Sequence, residues 1–326
     1  MHNKTKFFKK IAFFIYYLSR ATILTTSIIN PSCASENFQI ESKNFIGLSS
    51  NKNNENYAQY FGTSVIGQWS PSKHNIIGAS ISLINSHTKI NSYNANFYGP
   101  IGSLYGETNI GNFLLSINGA FGSIIGKYYN DSKNINFNYY CVGLGAGLGY
   151  VFSLDNHSLI PQLRLYGFGP ILEPKKDTHP IERLMSEELL EEFNFYGKIN
   201  FGFKLQYEYT IGNDMLGIIF YDRSTLYQDC DTRLTCLYTK DFESMKITPS
   251  VEIGAGYLSR YCIEHTTLSH NAGVLSFDLV PSVDIKIFAI GMSIKKDLID
   301  LGIHYTLKIG EKYTSHSGML KASWQF

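Results

Sequence analysis

Hydrophobic and polar positions alternate at a period of two along most of this chain, the repeat of a strand with one apolar face. In KINFGFKLQYEY, Ile199, Phe201, Phe203, Leu205, Tyr207 and Tyr209 fall on one face, and Lys198, Asn200, Gly202, Lys204, Gln206 and Glu208 on the other. TPSVEIGAGY sets Val251, Ile253, Ala255 and Tyr257 against Ser250, Glu252, Gly254 and Gly256. LIDLGIHYTLK sets Ile299, Leu301, Ile303, Tyr305 and Leu307 against Asp300, Gly302, His304, Thr306 and Lys308. The chain closes on GMLKASWQF in the same rhythm, so that Leu320, Ala322, Trp324 and Phe326 make an apolar stripe running to the last residue, where a soluble domain usually frays into polar sequence. The runs predict amphipathic strands of roughly nine to twelve residues, the length of a tilted strand that crosses a hydrocarbon layer.

The connections alternate as well. Short ones are PSKHN, NIGN, SLDNHS, IGND and KKD; longer polar ones are SNKNNEN, YNDSKN, residues 173–194 and EKYTSHS. Inside 173–194, IERLMSEELLEEF behind Pro180 reads as a short helix in a loop. Short turns at one end and long loops at the other are the asymmetry of an outer-membrane barrel. Alternation does not say which face points inward, because a soluble barrel alternates too. Aromatic residues at strand ends, such as Tyr60, Tyr128, Tyr209 and Trp324, favour an apolar face turned to lipid, since Tyr and Trp suit the interface.

Composition sharpens this. With 23 Tyr and 22 Phe against nine Pro, the chain favours strands. Residues 1–35 stand apart: Lys4, Lys6, Lys9 and Lys10 precede IAFFIYYLS and ATILTTSII, and small residues follow at Ser32, Ala34 and Ser35. This is the order of a cleaved signal peptide, with an uncleaved anchor as the alternative. It leaves 36–326 as one barrel domain with 23 basic and 27 acidic residues, a net charge of −4 that gives no basis for nucleic-acid binding. No later run of eighteen apolar residues offers a helical span. In the oxidising compartment an exported chain reaches, Cys230 and Cys236 of CDTRLTC could close a small loop disulfide, or stay free in a loop. The expected fold is therefore all-β, a single closed transmembrane antiparallel β-barrel of twelve strands, with fourteen as the alternative; both are even because both ends should lie on one side of the membrane.

Several hairpins in order, GTSVIGQWSPSKHNIIGASISL, NANFYGPIGSLYGETNIGNFLLSINGAFG, GAGLGYVFSLDNHSLIPQLRLYG and above all HYTLKIGEKYTSHSGMLKASWQF, resemble the β-barrel translocator domain of autotransporters. The resemblance covers most of the chain after residue 35. It implies that the barrel assembly machinery reads the Leu320, Ala322, Trp324 and Phe326 end during insertion. Two departures accompany it. FQIESKNFIGLSS begins at Phe38, directly after the leader, which leaves no room for a passenger, and 215–243 adds MLGIIFYDRSTLYQ and a weaker strand around LTCLYTKD to the twelve strands of the family.

Chemistry is sparse. The polar faces gather Arg164, Lys198, Lys204, Glu208, Glu252, Asp300, His304, Lys308 and Lys321, which could pair across a narrow lumen or line a water-filled pore. His316, between Ser315 and Ser317, has no acidic partner and no Gly-x-Ser-x-Gly, so a hydrolase reading has little to stand on. The glycines of GLGAGLGY lack the following helix that would cradle phosphate. The sequence leads to a passenger-less, surface-exposed outer-membrane barrel with a structural or interaction role. A small solute pore is the second reading and a barrel hydrolase the third. Lipid and the assembly machinery are the expected partners, the barrel is expected to be a monomer and no enzyme, and no cofactor or metal is called for.

Overall fold

The computed structural model describes residues 38–51, 57–72, 75–90, 93–129, 134–172, 198–225, 230–258, 262–266, 274–278 and 283–326. The signal-peptide reading and the helix read in 173–194 lie outside these residues.

The strands are β1 (Phe38–Asn51), β2 (Tyr57–Ser72), β3 (Asn75–Ile90), β4 (Tyr93–Ile110), β5 (Phe113–Tyr129), β6 (Asn134–Tyr150), β7 (Phe152–Leu154), β8 (His157–Leu172) and β9 (Lys198–Ile211). They continue as β10 (Asp214–Thr225), β11 (Cys230–Asp241), β12 (Lys246–Leu258), β13 (Cys262–Thr266), β14 (Val274–Asp278), β15 (Val283–Lys296), β16 (Ile299–Gly310) and β17 (Tyr313–Gln325). Neighbours in sequence pair antiparallel, β6 with β7 as its continuation pairs β8, β12 pairs β15, and β17 returns to β1. The result is a closed barrel of fourteen strands. β13 and β14 form a separate hairpin between β12 and β15, with β14 coming against β2 and β3. Closure leaves no unpaired edge, which is how a sheet disposes of its free backbone groups without help from solvent.

The twelve-strand expectation is corrected to fourteen, because β10 and β11 both run the full height of the wall. Cys230 and Cys236 lie six positions apart on the one strand β11, hence about 20 Å apart at ~3.3 Å per residue, and both thiols are free. The stretch read as a loop with a disulfide is wall. EKYTSHS is corrected likewise: the connection is the two-residue turn Glu311–Lys312, with Lys312 at φ 64°, and Tyr313 already pairs Gly310.

Phe38 and Phe326 mark what we call the lower end. Most of the short connections fall there, and four pivot on a residue with left-handed backbone at Gly111, Asp155, Gly212 or Asp297 (φ 61°, 50°, 62° and 51°). The four-residue FESM turn between β11 and β12 also falls there, with Phe242 donating its N–H to the Met245 carbonyl at 2.8 Å.

Most strands sort their residues as the alternation requires, β1 departing with Ser42 and Asn44 on its outer face. Outward side chains are large and apolar: Phe61, Ile81, Leu104, Ile117, Leu144 and Ile290 are 57–70% exposed. Charged inward ones are inaccessible, Lys204, Arg223 and Asp231 being 7% exposed or less, and they share the inside with buried apolar side chains such as Phe45, Ile66 and Ile287. Tyr60 departs from the interface role read for it, since it points inward at 5% exposure and lies where a Cβ on Gly47 would be.

Candidate functional site

The lumen is where chemistry collects, and period-two alternation puts it there: one residue in two of each strand points inside. At the lower end Glu41 and Lys43 of β1 pair at 2.8 Å. Lys321 of β17, beside β1, bridges Glu41 at 3.2 Å and Asp300 of β16 at 2.9 Å. A second cluster runs across β10, β11 and β12. Asp231, 2% exposed, accepts from Arg223 at 3.1 Å and from Arg233 at 2.6 Å. Arg233 goes on to Glu252 at 3.3 Å, whose other oxygen accepts from the Thr235 hydroxyl at 3.0 Å. The pattern is a zigzag of alternating sign, in which each carboxylate meets two donors, the condition for burying charge without a large penalty.

A third group lines the inner faces of β8 and β9. Arg164 of β8 donates to Gln162 at 2.9 Å, and Gln206 of β9 donates to Glu208 at 2.5 Å. Glu107 of β4 acts electrostatically on both Arg164 and Lys204, although β5, β6 and β8 separate β4 from β9 along the wall. On the opposite side the inner rows of β2 and β3 carry hydroxyls instead: Ser82 donates to Ser64 at 3.0 Å, and Ser80 meets Ser103 of β4 at 2.6 Å.

The GLGAGLGY glycines find their role here. Gly145, Gly147 and Gly149 lie on the inner face of β6, opposite Tyr166, Arg164 and Gln162 of β8. A Cβ on Gly145 would come within 2.3 Å of Asn118 Oδ1 and 2.7 Å of the Tyr166 ring, and one on Gly149 within 2.8 Å of Gln162. These glycines are the floor that lets the long β8 side chains lie flat against the wall.

Of the residues read from sequence, Arg164, Lys204, Glu208, Glu252, Asp300, His304, Lys308 and Lys321 fall on inward positions, with Lys204 and Lys308 at 4% and 8% exposure. Lys198 pairs Phe168 in register, and its side chain lies outside the description. His304 hydrogen-bonds Thr306 at 3.0 Å. Sequence reading did not single out Glu41, Lys43, Glu107, Arg223, Asp231 and Arg233. Their signal was present in ESK and DTR, charges of opposite sign two apart, the spacing of one strand face. It was hidden in CDTRLTC by the cysteines.

Leu320, Ala322 and Trp324 fall on outward positions of β17, and the Phe326 N–H donates to the Phe38 carbonyl at 2.8 Å. His316 is on the outer face of β17, not in a loop, and hydrogen-bonds the Tyr305 hydroxyl at 2.6 Å. Among the described residues no three His, Cys, Asp or Glu side chains are grouped so as to hold a metal ion.

At the lower rim, beyond the apolar band, Asp214 accepts from Lys240 Nζ at 2.7 Å, from the Tyr238 hydroxyl at 2.7 Å and from the Asp241 N–H at 3.1 Å. These donors, Lys240 first, hold its carboxyl down at about 2.

No protein-family model and no curated protein matches the chain in sequence. Solved structures do. The translocator domain of the autotransporter NalP from Neisseria meningitidis superposes over 98% of this chain and 98% of its own, with a TM-score of 0.50 at 9% identity. The beta domain of the Bordetella autotransporter Brka does so over 89% of this chain and 100% of its own, with a TM-score of 0.51 at 10% identity. The fold of this chain is that of the autotransporter translocator barrel.

Proposed function

We propose that this is an outer-membrane barrel, lower end in the periplasm, whose lumen is sealed by its own charges and whose work is structural or interactive at the cell surface, without a passenger threaded through it. The single observation that carries the reading is the inverted distribution of polarity. Large apolar side chains are more than half exposed around the outer face, while charged ones inside are nearly inaccessible. Water would not tolerate an apolar girdle of that extent, and lipid requires one. The sealed lumen is supported by the zigzag from Arg223 to Glu252 and by the inaccessibility of Lys204. Lipid and the barrel assembly machinery are the partners this reading needs, and no catalysis enters it.

The test is membrane fractionation with heat-modifiable electrophoretic mobility, followed by planar-bilayer recording on the purified barrel. An outer-membrane, heat-modifiable protein that stays electrically silent supports the reading. Stepwise conductance from the native barrel overturns the sealed lumen and leaves the solute pore.

A further inference from the structure

Outside the lumen, one stretch of the outer face is built differently from the rest. Four neighbouring strands, β15, β16, β17 and β1, align their outward residues in register. Met292 pairs Ile303, Ile303 pairs Leu320 and Leu320 pairs Asn44. One step lower Ile294 pairs Leu301, Leu301 pairs Ala322 and Ala322 pairs Ser42. Ala322 is the small member between Leu320 and Trp324, and at 4% exposure it forms a floor, while Met292, Leu301 and Ile303 stand 45–54% exposed around it. The result is a shallow groove of about 290 Å³, at the lower edge of the ~300–1,000 Å³ of small-molecule sites. Asn44, 4% exposed although on the outer face, closes the β1 side.

The next row down ends the apolar band. Lys296 pairs Ile299, Ile299 pairs Trp324 and Trp324 pairs Ile40. Lys296 is exposed and lies on the same outward face of β15 as Met292 and Ile294, so a cation sits at the periplasmic end of an apolar groove, with Trp324 two strands across beyond Ile299. The nearby Asp300 is on the inner face and already engaged by Lys321 at 2.9 Å.

We propose that this groove holds an acyl chain of an anionic phospholipid from the periplasmic leaflet, with its headgroup phosphate on Lys296. The inference rests on the outer-membrane reading above. Apolar length in the groove, an interfacial indole and a cation one step beyond match the three parts of such a lipid in order: tail, ester region and phosphate. A zwitterionic lipid fills the groove equally well but gains less from Lys296.

The experiment is native mass spectrometry of the detergent-purified, heat-modifiable barrel after incubation with equimolar phosphatidylglycerol and phosphatidylethanolamine. One phosphatidylglycerol per barrel should outlast the others during stepwise delipidation. Lys296→Gln should weaken its retention about fivefold, and Asp297→Asn, which removes the opposing charge of the adjacent turn, should strengthen it. Ala322→Leu should exclude the lipid whatever its headgroup, and Ile303→Ser serves as a second groove variant if Ala322→Leu fails to insert. Equal retention of both lipids by the native protein and Lys296→Gln, or no retention beyond the annular background, overturns the proposal. A native barrel that is not heat-modifiable and not membrane-embedded overturns the outer-membrane reading instead.

Discussion

The last residue of the chain donates its backbone N–H to the first residue of the barrel, Phe326 to Phe38, across 2.8 Å. This bond finishes the ladder between β17 and β1 that begins at Tyr313 and Asn51.

Deleting Phe326 removes that final bond and the last apolar residue of the outward stripe. Export should be unaffected while insertion falls, so that the protein accumulates as a degraded or aggregated periplasmic species. The heat-modifiable fraction in outer membranes reads this directly, and an unchanged fraction would sink the idea.

Ile253 faces outward in mid-strand at 52% exposure, whereas Ser250 of the same strand faces the lumen. A lysine near the lipid midplane costs about 2 to 4 kcal/mol, and one in the lumen can find a carboxylate or water. Ile253→Lys should therefore lower stability in a denaturant titration far more than Ser250→Lys. Equal losses would mean that the faces are exchanged.

Asp231 holds two arginines and is 2% exposed. Asp231→Ala removes the acceptor that Arg223 and Arg233 share, and the expected loss is the roughly 3–5 kcal/mol of a broken buried pair. Arg233→Ala alone should cost less, because Arg223 still serves Asp231. A double-mutant cycle in urea returns the coupling, and strict additivity of the two substitutions would refute a shared network.

A Cβ on Gly145 has no room before Asn118 and Tyr166, whereas one on Gly119 meets its nearest atom, in Leu144, at an ordinary 3.6 Å. Gly145→Ala should destabilise by about 1–3 kcal/mol through overpacking, and Gly119→Ala should be near neutral. The ranking of their denaturation midpoints checks this.

Asp214 provides a pH signature. Its carboxyl is held at about 2 against an ordinary 3.8 by Lys240, Tyr238 and the Asp241 N–H. A depressed folded value means that the contribution is full above the unfolded value and lost as pH falls through the folded one. Native stability should thus drop between about pH 4 and pH 2 by more than that of Asp214→Asn, measured as denaturation midpoints at successive pH values. Parallel curves would show that the rim bonds do not contribute.

How much of this was legible before folding differs from residue to residue. Period two assigned Phe201 and Lys204, Ile253 and Glu252, Leu301 and Asp300 to opposite faces, and the structure keeps each assignment, because in an extended chain the side of a residue is fixed by its parity. The start of β1 at Phe38 and the outward stripe to Phe326 were equally local. Strand number was not. β11 carries Cys230, Asp231, Arg233 and Cys236, which read locally as a polar loop, and only pairing with β10 and β12 on both sides makes it wall. Which charges meet was also beyond the sequence. Lys321 and Glu41 are joined by closure of the ring, which brings the last strand beside the first. The sequence by itself determined which side chains of a strand share a face, since that follows from backbone geometry alone. The tertiary structure decided who stands opposite, because closing fourteen strands into a ring brings together residues that no local period relates.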